Sequence, residues 1–376
     1  MNLVYRTYQK GDEEQLAEVY NLAFKPMFPR TANAWKWKYI EKPEFDPESI
    51  QICEDADKCK LVGMIASEVH DVMHNGQIVK AGFINDVATI PEYQKLGIGR
   101  HLMNRSLDHF NAKQVKFSSL VADPRGHPRS RLYMPFGYKD AMKNKICLKI
   151  LNMKRLCFKE IKWLIPISPV LYLANLINRS ILKLRFRNAP YPPYSIQILK
   201  QEHYGEFYGA FNEIVTRNYD MAPIRGKANW QWRREKVPQP DLEPKILVLR
   251  NGERIIGGVT LLSRVAHIHK PRLKINMGII VEYFVDHGAF EDKKEAIEVS
   301  GWFNRRIAET AKNMGSSVLL GFIAENDSPA NAYFRYSGVL TFNAAAFMIK
   351  EHRKESFGNN SDKPIFMPLY DAMGIP

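Results

Sequence analysis

The sequence is poor in cysteine, short of acids and free of long apolar runs. Four cysteines in 376 residues (Cys53, Cys59, Cys147, Cys157) are too few for a disulfide scaffold. Neither neighbouring pair has the two-residue spacing of a zinc knuckle, so reduced structural thiols are expected and no metal site. The opening stretch Met1-Asn2-Leu3-Val4-Tyr5-Arg6 lacks an apolar h-region, which argues against a cleaved secretion signal. No uninterrupted apolar run reaches the roughly 18–20 residues that a bilayer requires. The best candidate, Trp163 to Ile177, is 15 residues long and holds Pro166 and Pro169. A cytoplasmic protein is the expectation.

What is present is globular. The chain is about twice the usual domain length, and 45% hydrophobic with 25% charged residues excludes a mainly disordered or fibrous chain. The net charge of +14 is concentrated. Between Lys143 and Arg187 stand eleven Lys/Arg against one acid, Glu160, interleaved with Leu164, Ile165, Leu171, Leu173, Leu176, Ile177, Ile181 and Leu184. Three readings of this segment stay open: an interdomain helix pair packing on both domains, peripheral contact with an anionic membrane at its inner surface, or nucleic-acid binding. Nucleic acid is the least expected of these partners.

The chain repeats itself. Trp35-Lys36-Trp37-Lys38 returns 195 residues later as Trp230-Gln231-Trp232-Arg233, and Val62-Gly63-Met64-Ile65 returns at offset 194 as Ile256-Gly257-Gly258-Val259. Gly82-Phe83-Ile84 is answered by Gly278-Ile279-Ile280 at offset 196, and Tyr133-x-x-x-Gly137 by Phe334-x-x-x-Gly338 at offset 201. Each copy reads as a short strand, a helix, a Trp-x-Trp segment, three apolar strands, a long helix, a strand, a short helix ending near glycine, and a last strand. The expected division is a catalytic domain over 1–150, a basic apolar linker over 151–192, a degenerate copy over 193–352 and a polar tail over 353–376. The expected fold class is α/β, with a mixed sheet in each copy.

One stretch carries chemistry: Asn85-Asp86-Val87-Ala88-Thr89-Ile90-Pro91-Glu92-Tyr93-Gln94-Lys95-Leu96-Gly97-Ile98-Gly99-Arg100. A strand runs into a turn with two glycines and two cations, and an amphipathic helix follows. Glycines let successive backbone N–H groups point into one concavity, and the helix N-terminus adds positive potential. Lys95 and Arg100 strengthen it. A pyrophosphate cradle is the physical expectation.

Gln94-x-x-Gly97-x-Gly99 after Val87-Ala88-Thr89-Ile90-Pro91 resembles the acetyl-CoA signature of the GCN5-related N-acetyltransferases (GNAT). Leu132-Tyr133-Met134-Pro135-Phe136-Gly137-Tyr138 resembles that family's later tyrosine-to-glycine segment. The resemblance covers residues 1–150. It implies two tandem GNAT-like domains, each a mixed, splayed sheet flanked by helices, with acetyl-CoA as acyl donor in the gap of the first. By position, the backbone amides of Gln94, Lys95, Leu96, Gly97, Ile98, Gly99 and Arg100 would hold the pyrophosphate. Val87, Ala88 and Thr89 would pair with the pantetheine arm, and Tyr133 would protonate the departing thiolate. A phenol donor suits a leaving group whose free thiol pKa is about 8.5.

The amine must also lose a proton. Asp86, the lone carboxylate of the 75–91 strand region, is the expected base, with Glu68 as competitor and a structural carboxylate as the other reading. In the second copy Gln94–Arg100 falls on Phe290-Glu291-Asp292-Lys293-Lys294-Glu295-Ala296, without glycines and with acids where phosphate would dock. Tyr133 is answered by Phe334 and Asp86 by Glu282. One working site is expected, in the first copy, with the second as scaffold lining the acceptor pocket. The expected activity is acetyl transfer to a primary amine, on a small molecule, an amino sugar or a lipid-linked intermediate. The alternatives are an aminoacyl-tRNA-dependent transferase and a non-catalytic membrane or nucleic-acid adaptor.

Overall fold

The structure, a computed structural model, describes residues 1–235, 244–268 and 273–352. His269, the second imidazole of a His267-x-His269 pair, and the tail 353–376 lie outside the described residues. The chain opens with β1 (Leu3–Thr7), α1 (Glu13–Phe24) and α2 (Ala32–Tyr39). Next come β2 (Ile50–Asp55), β3 (Lys60–His74), β4 (Gln77–Thr89), α3 (Ile98–Ala112), β5 (Phe117–Ala122) and β6 (Lys139–Ile150). A single turn α4 (Met153–Arg155) and a long helix α5 (Ser168–Arg185) follow. The order then returns as β7 (Tyr194–Ile198), α6 (Tyr204–Asn218), a short β8 (Met221–Pro223), α7 (Lys227–Glu235), β9 (Lys245–Asn251), β10 (Arg254–Ile268) and β11 (Leu273–Val285). It closes with α8 (Lys293–Asn313), β12 (Val318–Ala324), α9 (Ser328–Tyr336) and β13 (Leu340–Glu351).

Local chemistry accounts for the elements that flank the site. Thr31 caps α2 by accepting the Ala34 N–H at 3.2 Å. In α3, Ile98, Leu102, Met103 and Phe110 recur at helical spacing and are all buried against the sheet. Gly82 on β4 makes room for this helix: a Cβ there would stand 2.8 Å from the Phe110 ring.

Among the described residues one sheet runs in the order β1-β2-β3-β4-β5-β13-β6-β12-β11-β10-β9-β7, with β8 paired to β3. The order is symmetric about the β13–β6 pair. Each half therefore gives its last strand away: β13 pairs with β5, and β6 pairs with β12. The last strand that ends each copy's order is thus paired between the halves. Both strands also begin earlier than their sequences suggest, because they pair with each other from Leu340↔Leu148 to Ile349↔Lys139. An exchanged strand keeps the same alternation as one that stays at home, so periodicity carries no sign of the swap.

The Trp-x-Trp segments sit in the cores, and Trp35, Trp37, Trp230 and Trp232 are buried. Trp37 and Trp232 meet between the halves with ring centroids 5.0 Å apart. Each indole N–H donates to the other's carbonyl, Trp37 Nε1 to Trp232 O at 3.3 Å and Trp232 Nε1 to Trp37 O at 2.9 Å. Phe28, Leu156, Leu262, Ile279 and Leu320 pack in the same cluster and bind the halves together.

Candidate active site

The parallel pair β4–β5 is short. Ala81–Ile84 pair with Phe117–Leu120, while β4 continues to Thr89 with β3 as its sole partner. The divergence starts at a bulge, where Asn85 is the extra residue between Ile84↔Ser67 and Asp86↔Ala66. Ile90 N–H bonds back to Val62 O on β3. By strand alternation, Ala88 also faces β3, while Val87 and Thr89 turn their N–H and C=O toward the open gap. Thr89 O already accepts from Gln94 Nε2 at 3.3 Å.

The glycine turn lies at the end of this gap. Lys95 (φ 69°) and Gly97 (φ 81°) are left-handed, and Gly97 is the N-cap of α3. Alternating left- and right-handed residues curl successive amides into one concavity. Among the described residues, the N–H groups of Lys95, Leu96, Gly97, Ile98 and Gly99 have no acceptor. Those of Gln94 and Arg100 are spent on Pro91 O (3.3 Å) and Gly97 O (3.0 Å). The seven-residue cradle expected from the sequence is thus five amides wide, flanked by the exposed side chains of Lys95 and Arg100. Protein packing does not require glycine at 99, since a Cβ there would meet only Leu132 Cδ2, at an ordinary 3.6 Å. What the missing side chain preserves is open space above the amides.

Two anchors that the sequence reading missed hold this turn. Tyr93 Oη donates to Asp55 Oδ2 at 2.6 Å and accepts from Lys58 Nζ at 3.1 Å. Gly63 on β3 lets Ile98 seat itself against the sheet: a Cβ at 63 would lie 2.7 Å from Ile98 Cγ2. Gly63 was visible in the sequence as a repeat position, without any sign of this contact.

Tyr133 ends an irregular helical turn over Arg129–Tyr133 that Gly137 (φ 89°) closes. Its neighbour Leu132 lies beside Gly99, so the tyrosine segment and the cradle meet. Tyr133 shares one core cluster with Ala88 and Ile98. The ring is buried, burial pushes its pKa up, and its hydroxyl bonds to nothing among the described residues. Tyr138 in the same segment is different, because its hydroxyl is engaged with Ser118 Oγ at 2.6 Å.

Asp86 does not take the place expected of it. Its carboxylate is buried, paired with Arg30 and bonded by Tyr39 Oη. Burial alone would raise its pKa, but Arg30 foremost, with Lys38 and Tyr39, outweighs that and holds it below the ordinary value. A carboxylate so engaged is a weak base. The second half repeats the arrangement where no cradle exists: Arg225 Nη1 meets Glu282 Oε1 at 2.8 Å, both buried. Asn21 brackets the Arg30 backbone as Asn212 brackets that of Arg225. Asp86 is therefore corrected from base to structural anchor. Glu68 fares no better, with Lys42 Nζ and His70 Nε2 each at 3.0 Å. Burial would raise its pKa, yet Lys42 and His70 hold it well below the usual range.

In the second half the helix N-terminus is closed by its own acids. Asp292 Oδ1 accepts from Glu295 N–H at 2.8 Å, and Glu295 Oε2 accepts from Glu291 N–H at 2.7 Å. Tyr283, at the position of Val87, packs its ring 4.8 Å from that of Phe334. Between the halves lies a cavity of about 780 Å³ bordered by Glu68, His70 and Lys80 from the first half and by Arg225, Lys227 and Trp232 from the second.

The sequence model described as the acetyltransferase (GNAT) domain matches residues 4–141. Mycothiol acetyltransferase of Thermobifida fusca is 28% identical over 102 residues, which is 26% of this chain and 31% of that protein. The chain thus spans under a third of the length of that curated relative. Among solved structures, Saccharomyces cerevisiae N-myristoyltransferase with bound myristoyl-CoA superposes with a TM-score of 0.68 at 12% identity, over 97% of this chain and 86% of that one. A GCN5-related N-acetyltransferase from Anabaena variabilis gives 0.58 at 12% identity, over 93% and 73%. The fold is shared along nearly the whole chain, and residues 4–141, with the splayed strands and the amide cradle, are a domain of the GNAT acetyltransferase superfamily.

Proposed function

We propose that the protein is an acyl-CoA-dependent N-acyltransferase that moves an acetyl group from acetyl-CoA to a primary amine, with its working site in the first half. The observation that carries this reading is the run of five acceptor-free amides, Lys95 to Gly99, at the mouth of the β4–β5 gap. Such a concavity at a helix N-terminus suits a diphosphate. The matching second-half position, sealed by Asp292 and Glu295, does not.

The chemistry is addition of the amine nitrogen to the thioester carbon, followed by cleavage of the C–S bond. The gap-facing N–H of Val87 is the proposed donor to the oxygen on which negative charge develops. Tyr133, kept protonated by burial and free of other partners, delivers its proton to the departing sulfur. Among the described residues no carboxylate beside the gap is fit to take the amine's proton, so the acceptor enters as the free amine, the cationic nitrogen formed on addition gives one proton to water, and solvent returns a proton to Tyr133. The cavity between the halves, lined by both, is the proposed acceptor pocket for a small-molecule or sugar amine.

The test is a transfer screen over amine acceptors with acetyl-CoA and longer acyl-CoAs, run beside Gly97→Glu and Gly97→Asn. Asparagine tolerates the left-handed φ of 97 without adding charge, so it separates strain from repulsion. Loss of CoA binding in Gly97→Glu with binding kept in Gly97→Asn is expected. Equal CoA affinity in Gly97→Glu and wild type would overturn the placement of the site.

A further inference from the structure

Helix α5 carries an apolar face that, among the described residues, nothing covers. Ser168, Leu171, Asn175, Asn178 and Leu182 turn toward the body and are buried or half-buried. On the opposite side, Val170 (69% exposed), Leu173 (59%), Leu176 (61%), Ile177 (52%), Ile181 (47%) and Leu184 (70%) stand in water. At 100° per residue these six fall within one arc that holds no charge. Arg179 and Lys183 border one side of the arc and Arg185 the other. Ile165 and Ile167, also exposed, extend the patch toward the preceding turn. Between Met153 and Arg187 there is a single acid, Glu160, and Arg155 neutralises it at 3.0 Å.

With the turn before it, Leu164–Arg185 is long and apolar enough to cross a bilayer. Its ends forbid that. Upstream, Arg155 Nη1 donates to Gly315 O at 2.8 Å. Downstream, Phe186 is buried edge-on against Tyr336 at 5.5 Å, and the Arg185 guanidinium lies 4.3 Å over the same ring. Both ends are tied to one folded body, so the helix can only lie flat along it. A second copy of the chain is a poor occupant as well, since a two-fold contact would set the cations of one face against those of the other with no acid between them.

We infer that α5 is a monotopic membrane anchor, docking its outer face into the headgroup and acyl boundary of an anionic lipid surface. The six apolar side chains enter the acyl edge, and Arg179 and Lys183 stay at the level of the lipid phosphates, while Arg185 remains over the Tyr336 ring. The inference is independent of the acyl-transfer reading, because CoA binding in solution does not depend on this face.

Flotation of the full chain with vesicles tests it, using phosphatidylcholine alone and phosphatidylcholine mixed with phosphatidylglycerol. Leu173→Glu/Ile177→Glu and Arg179→Gln/Lys183→Gln stand beside wild type, with CoA binding and light scattering measured on every sample. Wild type should float with the anionic vesicles and stay behind with neutral ones. The charge pair should weaken partition roughly 30-fold, from about one kcal/mol per cation. The acidic pair should abolish it, with CoA affinity unchanged. Equal flotation of wild type and Leu173→Glu/Ile177→Glu would overturn the assignment, as would no flotation at low salt. A wild-type dimer that the acidic pair converts to monomer would also overturn it, and would give the face to a second copy.

Discussion

Replacing Gly63 by alanine should loosen the cradle from a distance. The new Cβ would stand 2.7 Å from Ile98 Cγ2, where two carbons ordinarily rest about 3.5–4.0 Å apart. A β-branched side chain in a helix has essentially one χ1, so Ile98 cannot swing its methyl aside and the first turn of α3 must retreat by roughly 1 Å. Overpacking of this kind costs about 1–3 kcal/mol of stability. The retreat carries the amides of Lys95 to Gly99 with it and lengthens charge-assisted hydrogen bonds whose best distance is about 2.7–2.9 Å. Losing about 1.4–2.8 kcal/mol of that contact means roughly 10–100-fold weaker CoA binding. Isothermal titration with CoA and thermal melting measure both effects. Adding Ile98→Ala, which deletes the opposing methyl, should return part of the affinity. A Gly63→Ala protein that melts and binds CoA as wild type does would refute the claim that this contact seats the cradle.

Three further outcomes are expected. Tyr133→Phe should lower kcat by about 10²–10⁴-fold, the usual worth of a positioned proton donor, while acyl-CoA affinity stays within about two-fold by titration. Asp86→Asn should cost about 3–5 kcal/mol in denaturant unfolding by removing the carboxylate charge that faces the buried Arg30. At permissive temperature its pH profile of kcat/KM should keep its shape, and disappearance of an acidic limb would return the base to Asp86. His352, the residue after the exchanged strand β13, shares a hydrogen bond with Ser118 Oγ at 2.7 Å, and burial pulls its pKa down to about 4. The unfolded chain binds that proton from about pH 6.5 downward, so stability is full above 6.5 and drains away as pH falls toward 4. His352→Gln should flatten that part of the stability–pH curve, and an unchanged slope would contradict the burial argument.

How much of this was legible in the sequence depends on the range of the interaction. The strand-to-helix run Val87–Arg100 and the Leu132–Tyr138 segment are local patterns that stand out in the sequence, and the structure brings them together where Leu132 lies beside Gly99. The repeat was legible through Trp37 and Trp232, although their reciprocal hydrogen bonds were not, because pairing across 195 residues leaves no periodic trace. The strand exchange was invisible for the same reason. Asp86 misled because its partners, Arg30 and Tyr39, lie 56 and 47 residues upstream, and a carboxylate seen alone in a strand reads as free. Gln94 and Arg100 were counted in the cradle because the motif names residues, whereas the turn decides which N–H groups remain unspent. The basic apolar segment was ambiguous from composition, since the side of α5 that packs is set by Leu182 and Phe186 meeting α8 and α9.

The claim under everything else is that the amides of residues 95–99 take hold of a diphosphate. Amide hydrogen exchange followed with and without CoA reads those groups one stretch at a time. The account predicts slowed exchange across 95–99 and along 87–89 on adding CoA, with no change at 291–296. Protection at 291–296 instead, or none at 95–99 with saturating CoA, would contradict it.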